Sequence, residues 1–247
     1  MHDLVVCIFS YNRGRYLENC IQSVQRHLSD ASLRIYDDGS TQAEAQRVLD
    51  EYEDRIFISR GHDVEQGWRG GLYANMAQAF KQARRDGFRF VLCMQDDMQV
   101  VRPLTADDLR RVGAYFSDEN DTLQLSVSFE RRKQPRGYTL SAHGPYFFAK
   151  EKRFASFSDV GIFDLHRLEQ VQWSFEESEE QNDVRLREMG YTLGFYAYPF
   201  TMWLPSPQGY AKDNSSFLKN KLRILLGWWY GRGFYPYRGM KEREINA

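Results

Sequence analysis

Two adjacent carboxylates, Asp96 and Asp97, end an apolar run that begins at Phe88 and passes through Val91, Leu92, Cys93 and Met94 to Gln95. Neighbouring acids repel, so keeping both ionised calls for a cation or several hydrogen-bond donors nearby. Oxygen-only ligation suits Mg²⁺ or Mn²⁺, and Mg²⁺ is commonly shared with substrate phosphates. A solvated turn after a strand would leave the same trace, so the rest of the chain has to decide. Three further clusters carry chemistry-bearing side chains. Ser10-Tyr11-Asn12 follows one apolar run, and Asp37-Asp38-Gly39-Ser40 follows another. The stretch from Glu176 to Asp183 places five carboxylates within eight residues. A carboxylate there could take a proton as a general base, or merely complement the positive end of a helix.

These clusters need elements to position them. Six of the eight residues from Phe88 to Gln95 are apolar, which predicts a strand buried on both faces of a parallel sheet. Leu4 to Phe9, Ser32 to Tyr36 and Arg55 to Ser59 read as three earlier strands. Between them apolar residues recur at helical spacing: Leu17, Cys20, Ile21, Val24 and Leu28, then Ala45, Val48, Leu49 and Tyr52, then Leu72, Met76, Ala79, Phe80 and Ala83. Strand and helix alternate three times before Asp97, the pattern of a parallel α/β sheet with right-handed crossovers. In such sheets ligands bind outside the carboxyl ends of the strands. The first, second and fourth strand ends would lie along one edge. There a nucleotide could stack its base on Tyr11 and hydrogen-bond it through Asp38, with its phosphates at a cation on Asp97.

After Asp97 the alternation loosens. Thr105-Ala-Asp-Asp108 predicts a helix start, and Leu123 to Phe129 a strand. Residues 130–157 show little period, as functional loops often do. Ser178-Glu-Glu-Gln181 is a capping box opening a helix that ends near Met189-Gly190, and Thr192 to Tyr198 reads as a last strand. Asn214 to Tyr230 suits a helix with Lys219, Lys221, Arg223 and nearby Arg232 set among aromatics such as Trp228 and Trp229. It is far short of the roughly 20 apolar residues of a membrane span. Three roles fit it: packing on the sheet, pairing with another subunit as a homodimer, or peripheral contact with a membrane surface.

The bulk numbers exclude little. The 247 residues are 42% hydrophobic and 27% charged with a net charge of -1, which gives no warrant for a nucleic-acid partner. Aromatics reach 15%; sugar or base faces would use them, and so would a generous core. Cys7, Cys20 and Cys93 fall inside apolar patterns with no CxxC pair, as expected of small buried hydrophobes in a reducing compartment. The start lacks the basic region of a signal peptide, so a cytoplasmic protein is expected, in contact with the inner face of the membrane if the tail binds it.

At this point the residues carry a family resemblance. The segment from Val5 to Val24, with Ser10-Tyr11-Asn12-Arg13-Gly14 inside it, resembles the opening of the large GT-A glycosyltransferase family 2. Arg34-Ile-Tyr-Asp-Asp-Gly-Ser-Thr41 is similar to that family's second-strand motif. Gly71-Leu-Tyr-Ala-Asn75 resembles the helix start that precedes its metal-binding strand. Gln95-Asp-Asp-Met98 stands where the family places its DxD-type motif. Gly161-Ile-Phe-Asp164 and the segment Arg185 to Tyr191 resemble its acceptor-side segment and the helix after the catalytic acid.

The resemblance implies a GT-A fold, a mostly parallel central sheet flanked by helices. It assigns 1–212 to the glycosyltransferase domain, 1–100 as a nucleotide-binding half and 101–212 as an acceptor-binding half, leaving 213–247 as an aromatic, basic helical tail. It implies transfer from a nucleotide-sugar donor, UDP- or dTDP-linked, to a glycan or lipid-linked acceptor with inversion. Carried over by position, Ser10, Tyr11, Asn12 and Asp38 would bind the nucleotide and Asp96 the ribose. Arg69, just before the third helix, could meet a phosphate or serve as a loop or stacking residue beside Trp68, and Asp97 would ligate Mn²⁺ or Mg²⁺. The base would be Glu179, by counting back from Gly190-Tyr191, with Glu180 its close rival. Two departures stand out: Met98 replaces an acid found in many relatives, and no histidine follows His166. A nucleotidyltransferase and a non-catalytic sugar-binding relative are the alternative readings.

Overall fold

The computed structural model describes residues 3–60, 71–117, 122–128, 138–140, 146–149, 157–196 and 198–204. Arg69, His143, most of the 130–157 stretch and the whole 213–247 tail lie outside the described residues.

β1 (Leu4–Ser10) is buried along its full length, as a strand covered on both faces must be. Leu4, Val6 and Ile8 point into one core, with Leu17, Ile21 and Val24 of α1 (Gly14–His27) and Val48 and Leu49 of α2 (Ala43–Tyr52). Val5, Cys7 and Phe9 point into the other, against Met76, Ala79, Phe80 and Ala83 of α3 (Leu72–Arg85). The period of two along the strand thus assigns each helix to a face. β1 pairs in parallel with β2 (Ser32–Asp37) on one side and β4 (Phe90–Gln95) on the other, and β2 pairs in parallel with β3 (Phe57–Arg60). These four strands and three helices are those expected from the sequence.

Strand order reverses between β1 and β4, because the chain runs outward to β3 and then crosses back. Such a switch point opens a crevice at the carboxyl ends of the two strands. Beyond it the sheet becomes mixed. Among the described residues its nine strands run β3-β2-β1-β4-β9-β6-β10-β8-β7, with β6 (Thr122–Ser126), β7 (Tyr138–Leu140), β8 (Tyr146–Ala149), β9 (Gly161–Asp164) and β10 (Thr192–Tyr196). β9 lies antiparallel between β4 and β6, and at its start the backbone of β6 comes very close. A Cβ on Gly161 would sit 2.7 Å from the Leu125 carbonyl oxygen, and φ is +123°, so only glycine fits there.

The departures from expectation are short elements, among them β7 and β8, inside a stretch expected to show little period, and β9. β5 (Met98–Val100) and β11 (Thr201–Trp203) form a separate antiparallel pair, and α5 (Leu165–Gln170) follows β9 directly. The expected last strand stops at Tyr196, with β11 beyond it. Elements of three to six residues are too short to show a period. The two predicted helix starts hold: α4 (Ala106–Ser117) follows Thr105, and α6 (Glu179–Glu188) is capped by Ser178, whose hydroxyl oxygen accepts from the Gln181 N–H. Among the described residues no helix is long and apolar enough to cross a membrane.

Among the described residues, most aromatic side chains go into the core. Tyr73, Phe80, Phe157, Phe163, Trp173 and Phe175 form one chain of ring contacts, with centroids 5.0–6.2 Å apart, joining α3 to β9 and to the segment before α6. Trp173 is buried there beneath Arg185, so its ring faces protein rather than solvent. The three cysteines are likewise buried and free.

Candidate active site

The switch-point crevice is a cleft of about 860 Å³ whose wall includes Ser10, Tyr11, Asn12, Arg13, Asp38, Asn75, Gln95, Asp96 and Asp159. Strand ends bring the first four together with Asp96. The Ser10 hydroxyl and the Tyr11 N–H donate to Asp96 Oδ2 at 3.1 and 3.2 Å. The Tyr11 ring itself stays 54% exposed, a flat face open to a ligand at the rim.

The two acids after β2 separate into different tasks. Asp37 is sealed and accepts from the Ser40 N–H and hydroxyl at 2.7 and 2.5 Å, closing a turn that Gly39 completes at φ +74°. Asp38 faces the cleft and accepts the Gly71 N–H at 2.8 Å, tying the start of α3 to the rim. Asn12, at φ +53°, donates its N–H to Ser40 and accepts from the Thr41 and Gln42 N–H groups. Its side-chain oxygen is therefore engaged in joining the β1 and β2 loops.

Asp96 and Asp97 are 3% and 9% exposed. Arg13 bridges them, one guanidinium nitrogen lying 3.2 Å from Asp96 Oδ1 and 2.8 Å from Asp97 Oδ2. Burial pushes the Asp96 carboxyl up to about 7; Arg13 counters this and Asp97 adds to it. Burial likewise raises Asp97 against the pull of Arg13. The other Asp97 oxygen, Oδ1, is buried without a hydrogen-bond partner. That orphan oxygen fits a divalent cation held by one or two carboxylates and completed by substrate phosphates. Among the described residues no cluster of three acidic, histidine or cysteine ligands that could hold a metal ion exists. Met98 packs in the core and supplies nothing to the site.

Among the cleft residues that carry no role in the sequence reading are Arg13 and Asp159. Arg13 was only a member of a turn motif. Asp159 precedes β9, and its Oδ2 accepts from Gln95 Nε2 at 2.6 Å. β9 pairs with β4 through Cys93 and Gly161; continuing that register opposite Gln95 reaches Asp159. Burial pushes Asp159 up to about 7, and Glu179 and Asp97 both add to the shift. Asp159 thus stands within electrostatic reach of the strand-end acids and of the α6 start.

Glu179 and Glu180 open α6. Glu179 is exposed, its carboxyl raised by partial desolvation and by Asp183. Glu180 lines a different depression of about 550 Å³ with Glu176, Gln181 and Arg185. The start of α6 is fixed by Asn182, which is fully buried, donates to the Glu176 and Ser178 carbonyls and accepts from the Glu176 N–H.

The family model for glycosyl transferase family 2 matches residues 5–164, from β1 through the end of β9. The chain belongs to that family. This glycosyltransferase also shares its fold with S. aureus TarS. The crystal structure of TarS 1–349 aligns over 92% of this chain and 70% of that one, with a TM-score of 0.54 at 13% identity. TarS 1–349 in complex with UDP aligns over 96% and 74%, with a TM-score of 0.56 at 13% identity. The likeness shows the GT-A fold, as the sequence predicts. No curated protein matches the chain in sequence.

Proposed function

We propose that this family 2 glycosyltransferase moves a hexosyl group, with inversion, from a nucleoside-diphosphate sugar to a hydroxyl of a glycan or lipid-linked acceptor. The observation that carries the reading is the cleft at the β1–β4 switch point, which gathers an exposed aromatic ring, Asp38 and Asp96, with Asp97 joined to Asp96 behind its wall through Arg13. UDP in the structure of a protein of the same fold supports a uridine donor, and dTDP is the second choice.

In this reading Tyr11 stacks on the base, Asp38 hydrogen-bonds it, and Ser10, Asn12 and Asp96 hold the ribose side. Arg69 remains a proposed phosphate partner. Asp97, with its unsatisfied oxygen, would hold Mn²⁺ or Mg²⁺; the cation would offset charge growing on the leaving diphosphate. Arg13 lies where it supplies fixed positive charge beside the same phosphates. Glu179 is the base of choice. It is coupled to Asp159 on the cleft wall, whereas Glu180 belongs to another depression. A raised pKa suits a group that must accept a proton from the acceptor hydroxyl. We also place the enzyme in the cytoplasm, its 213–247 tail a candidate for membrane contact or subunit pairing.

The test is thermal melting with UDP, dTDP and GDP, each with and without Mn²⁺. Saturation near 100 Kd stabilises by about 2.7 kcal/mol, which is roughly 5–10 °C for a chain of this size. The shift should require the cation and vanish in Asp97→Ala. Melting that no nucleotide moves under any of these conditions would sink the reading.

A further inference from the structure

The roles above leave one part of the cleft wall unused. Asn75, in the first turn of α3, is 1% exposed, yet its Oδ1 has no hydrogen-bond partner. Asn75 lines the same cleft as Asp96 and Asp159. A buried amide oxygen without a donor is a costly feature to keep, and a ligand hydroxyl is the natural group to satisfy it. Its surroundings are rigid. Tyr73, two residues earlier, contacts the Phe157 ring at 6.2 Å, which fastens the start of α3 to the segment carrying Asp159. Asp159 in turn is fixed through Gln95, one residue before Asp96.

This wall presents acceptors: a carboxamide oxygen and a carboxylate. It therefore suits a ligand rich in hydroxyl donors. Its place narrows the ligand further. In an inverting transfer the sugar ring lies between the leaving diphosphate and the base. Asp159 is the cleft residue whose charge is felt together with those of Asp97 and Glu179.

We propose that Asn75 and Asp159 form the subsite that reads the hydroxyl groups of the transferred sugar. Asp159 accepts from one or two ring hydroxyls, oriented by Gln95, and Asn75 Oδ1 accepts from another. The inference rests on the nucleotide-sugar reading above and deepens it. It makes these two residues determinants of which sugar is carried, separate from the Tyr11–Asp38 side that holds the base.

Calorimetric titration in Mn²⁺ tests it with UDP, UDP-glucose, UDP-galactose and UDP-N-acetylglucosamine, or the matching dTDP or GDP series if melting selects that base. The wild type should rank the sugars. Asp159→Asn keeps an acceptor for Gln95, and Asn75→Leu fills the same space without polar atoms. Each should shrink the preference for the best sugar by roughly tenfold or more, the loss of a hydrogen bond to a charged or buried acceptor. UDP itself should bind as in the wild type. Should Asn75→Leu fail to fold, Asp159→Asn alone carries the test. An unchanged ranking in the variants overturns the inference, as does a wild type indifferent to the sugar or an equal loss for UDP and its sugars. A wild type that binds no nucleoside diphosphate overturns the nucleotide-sugar reading, and this inference with it.

Discussion

Asp96 and Glu179 are the acids to which the proposed function gives donor-side and acceptor-side roles, and the fold treats them in opposite ways. Asp96 is almost sealed; the Ser10 hydroxyl, the Tyr11 N–H and Arg13 all donate to it. Glu179 stands in solvent, and it is the backbone around it that is fixed, by Ser178 and Asn182. In the proposed function the Asp96 side would then be built before a diphosphate arrives, as a surface meeting a permanent charge needs to be. The Glu179 side would hold a helix start in place and leave its carboxylate to take a proton from an acceptor hydroxyl. On that reading the two sides should respond to mutation differently: stability should suffer on the Asp96 side, and turnover on the Glu179 side.

The largest effect should come from Glu179→Gln. Removing a general base lowers turnover about 10²–10⁴-fold, while the UDP dissociation constant and the melting temperature stay near wild type. Release of UDP from its sugar, with and without an acceptor mixture, measures it. Glu180→Gln should leave most of the activity. Were Glu180→Gln the damaging change, the assignment of the cleft-coupled acid as base would fail.

Arg13→Met attacks the other side. It removes the guanidinium that bridges two nearly buried carboxylates, and breaking a buried pair from one end costs about 3–5 kcal/mol. The melting temperature should fall by roughly 10 °C, and Mn²⁺ should restore part of the loss by taking over the counter-charge at Asp97. An unmoved melting temperature would mean that the strand-end acids are held by their hydrogen bonds alone, and the contrast with Glu179 would weaken.

What was legible in the sequence follows the same division. The central strands β1 and β4 are buried nearly throughout and read as apolar runs, and the polar groups of Ser10 and of the Asp96-Asp97 pair sit at the run ends where the eye falls on them. Asp159 stayed hidden because its partner, Gln95, is 64 residues away in the chain. Only the antiparallel register of β9 on β4 brings them together, and that register cannot be seen from one strand. Arg13 was visible, but as a residue of a turn; its role depends on the Asp96-Asp97 pair folding back over the β1 end. The aromatic excess was ambiguous for a related reason: a ring that packs on other rings and a ring that stacks on a ligand have the same composition. Trp173 turned out to be the first kind and Tyr11 is exposed.

Acid–base behaviour sharpens the comparison with a smaller effect. Asp96 and Asp159 ordinarily would titrate near 3.8 and are both raised to about 7 in the fold. Between those values the folded chain holds more protons than the unfolded one, so stability falls as pH rises from about 4 to about 7. The contribution is fully present below the unfolded pKa and is lost through the folded one. Melting temperature measured across that window should decline for the ligand-free enzyme. Asp96→Asn and Asp159→Asn should each flatten the slope. Mn²⁺ with UDP should also flatten it, because the cation favours the ionised carboxylates. A wild-type curve that rises through the window would show that the acids are ionised in the fold, and the donor side would then be less sealed than its burial implies.

The smallest effect isolates the scaffold of the acceptor side. Ser178 caps α6 through the Gln181 N–H at 3.2 Å, and α6 buries only Asn182 and Leu186. A helix with so little apolar face leans on its cap and on the Asn182 bonds. Ser178→Ala should cost about 1 kcal/mol, the usual worth of an N-cap side chain, or roughly 2–4 °C of melting temperature. Turnover at a temperature well below melting should change little, because Asn182 still ties the backbone of Glu176 and Ser178 to the helix. A loss of turnover as large as that of Glu179→Gln would move the function from the carboxylate to the geometry of the helix start. The donor and acceptor sides would then both depend on a preformed frame, and the opposition drawn between Asp96 and Glu179 would not stand.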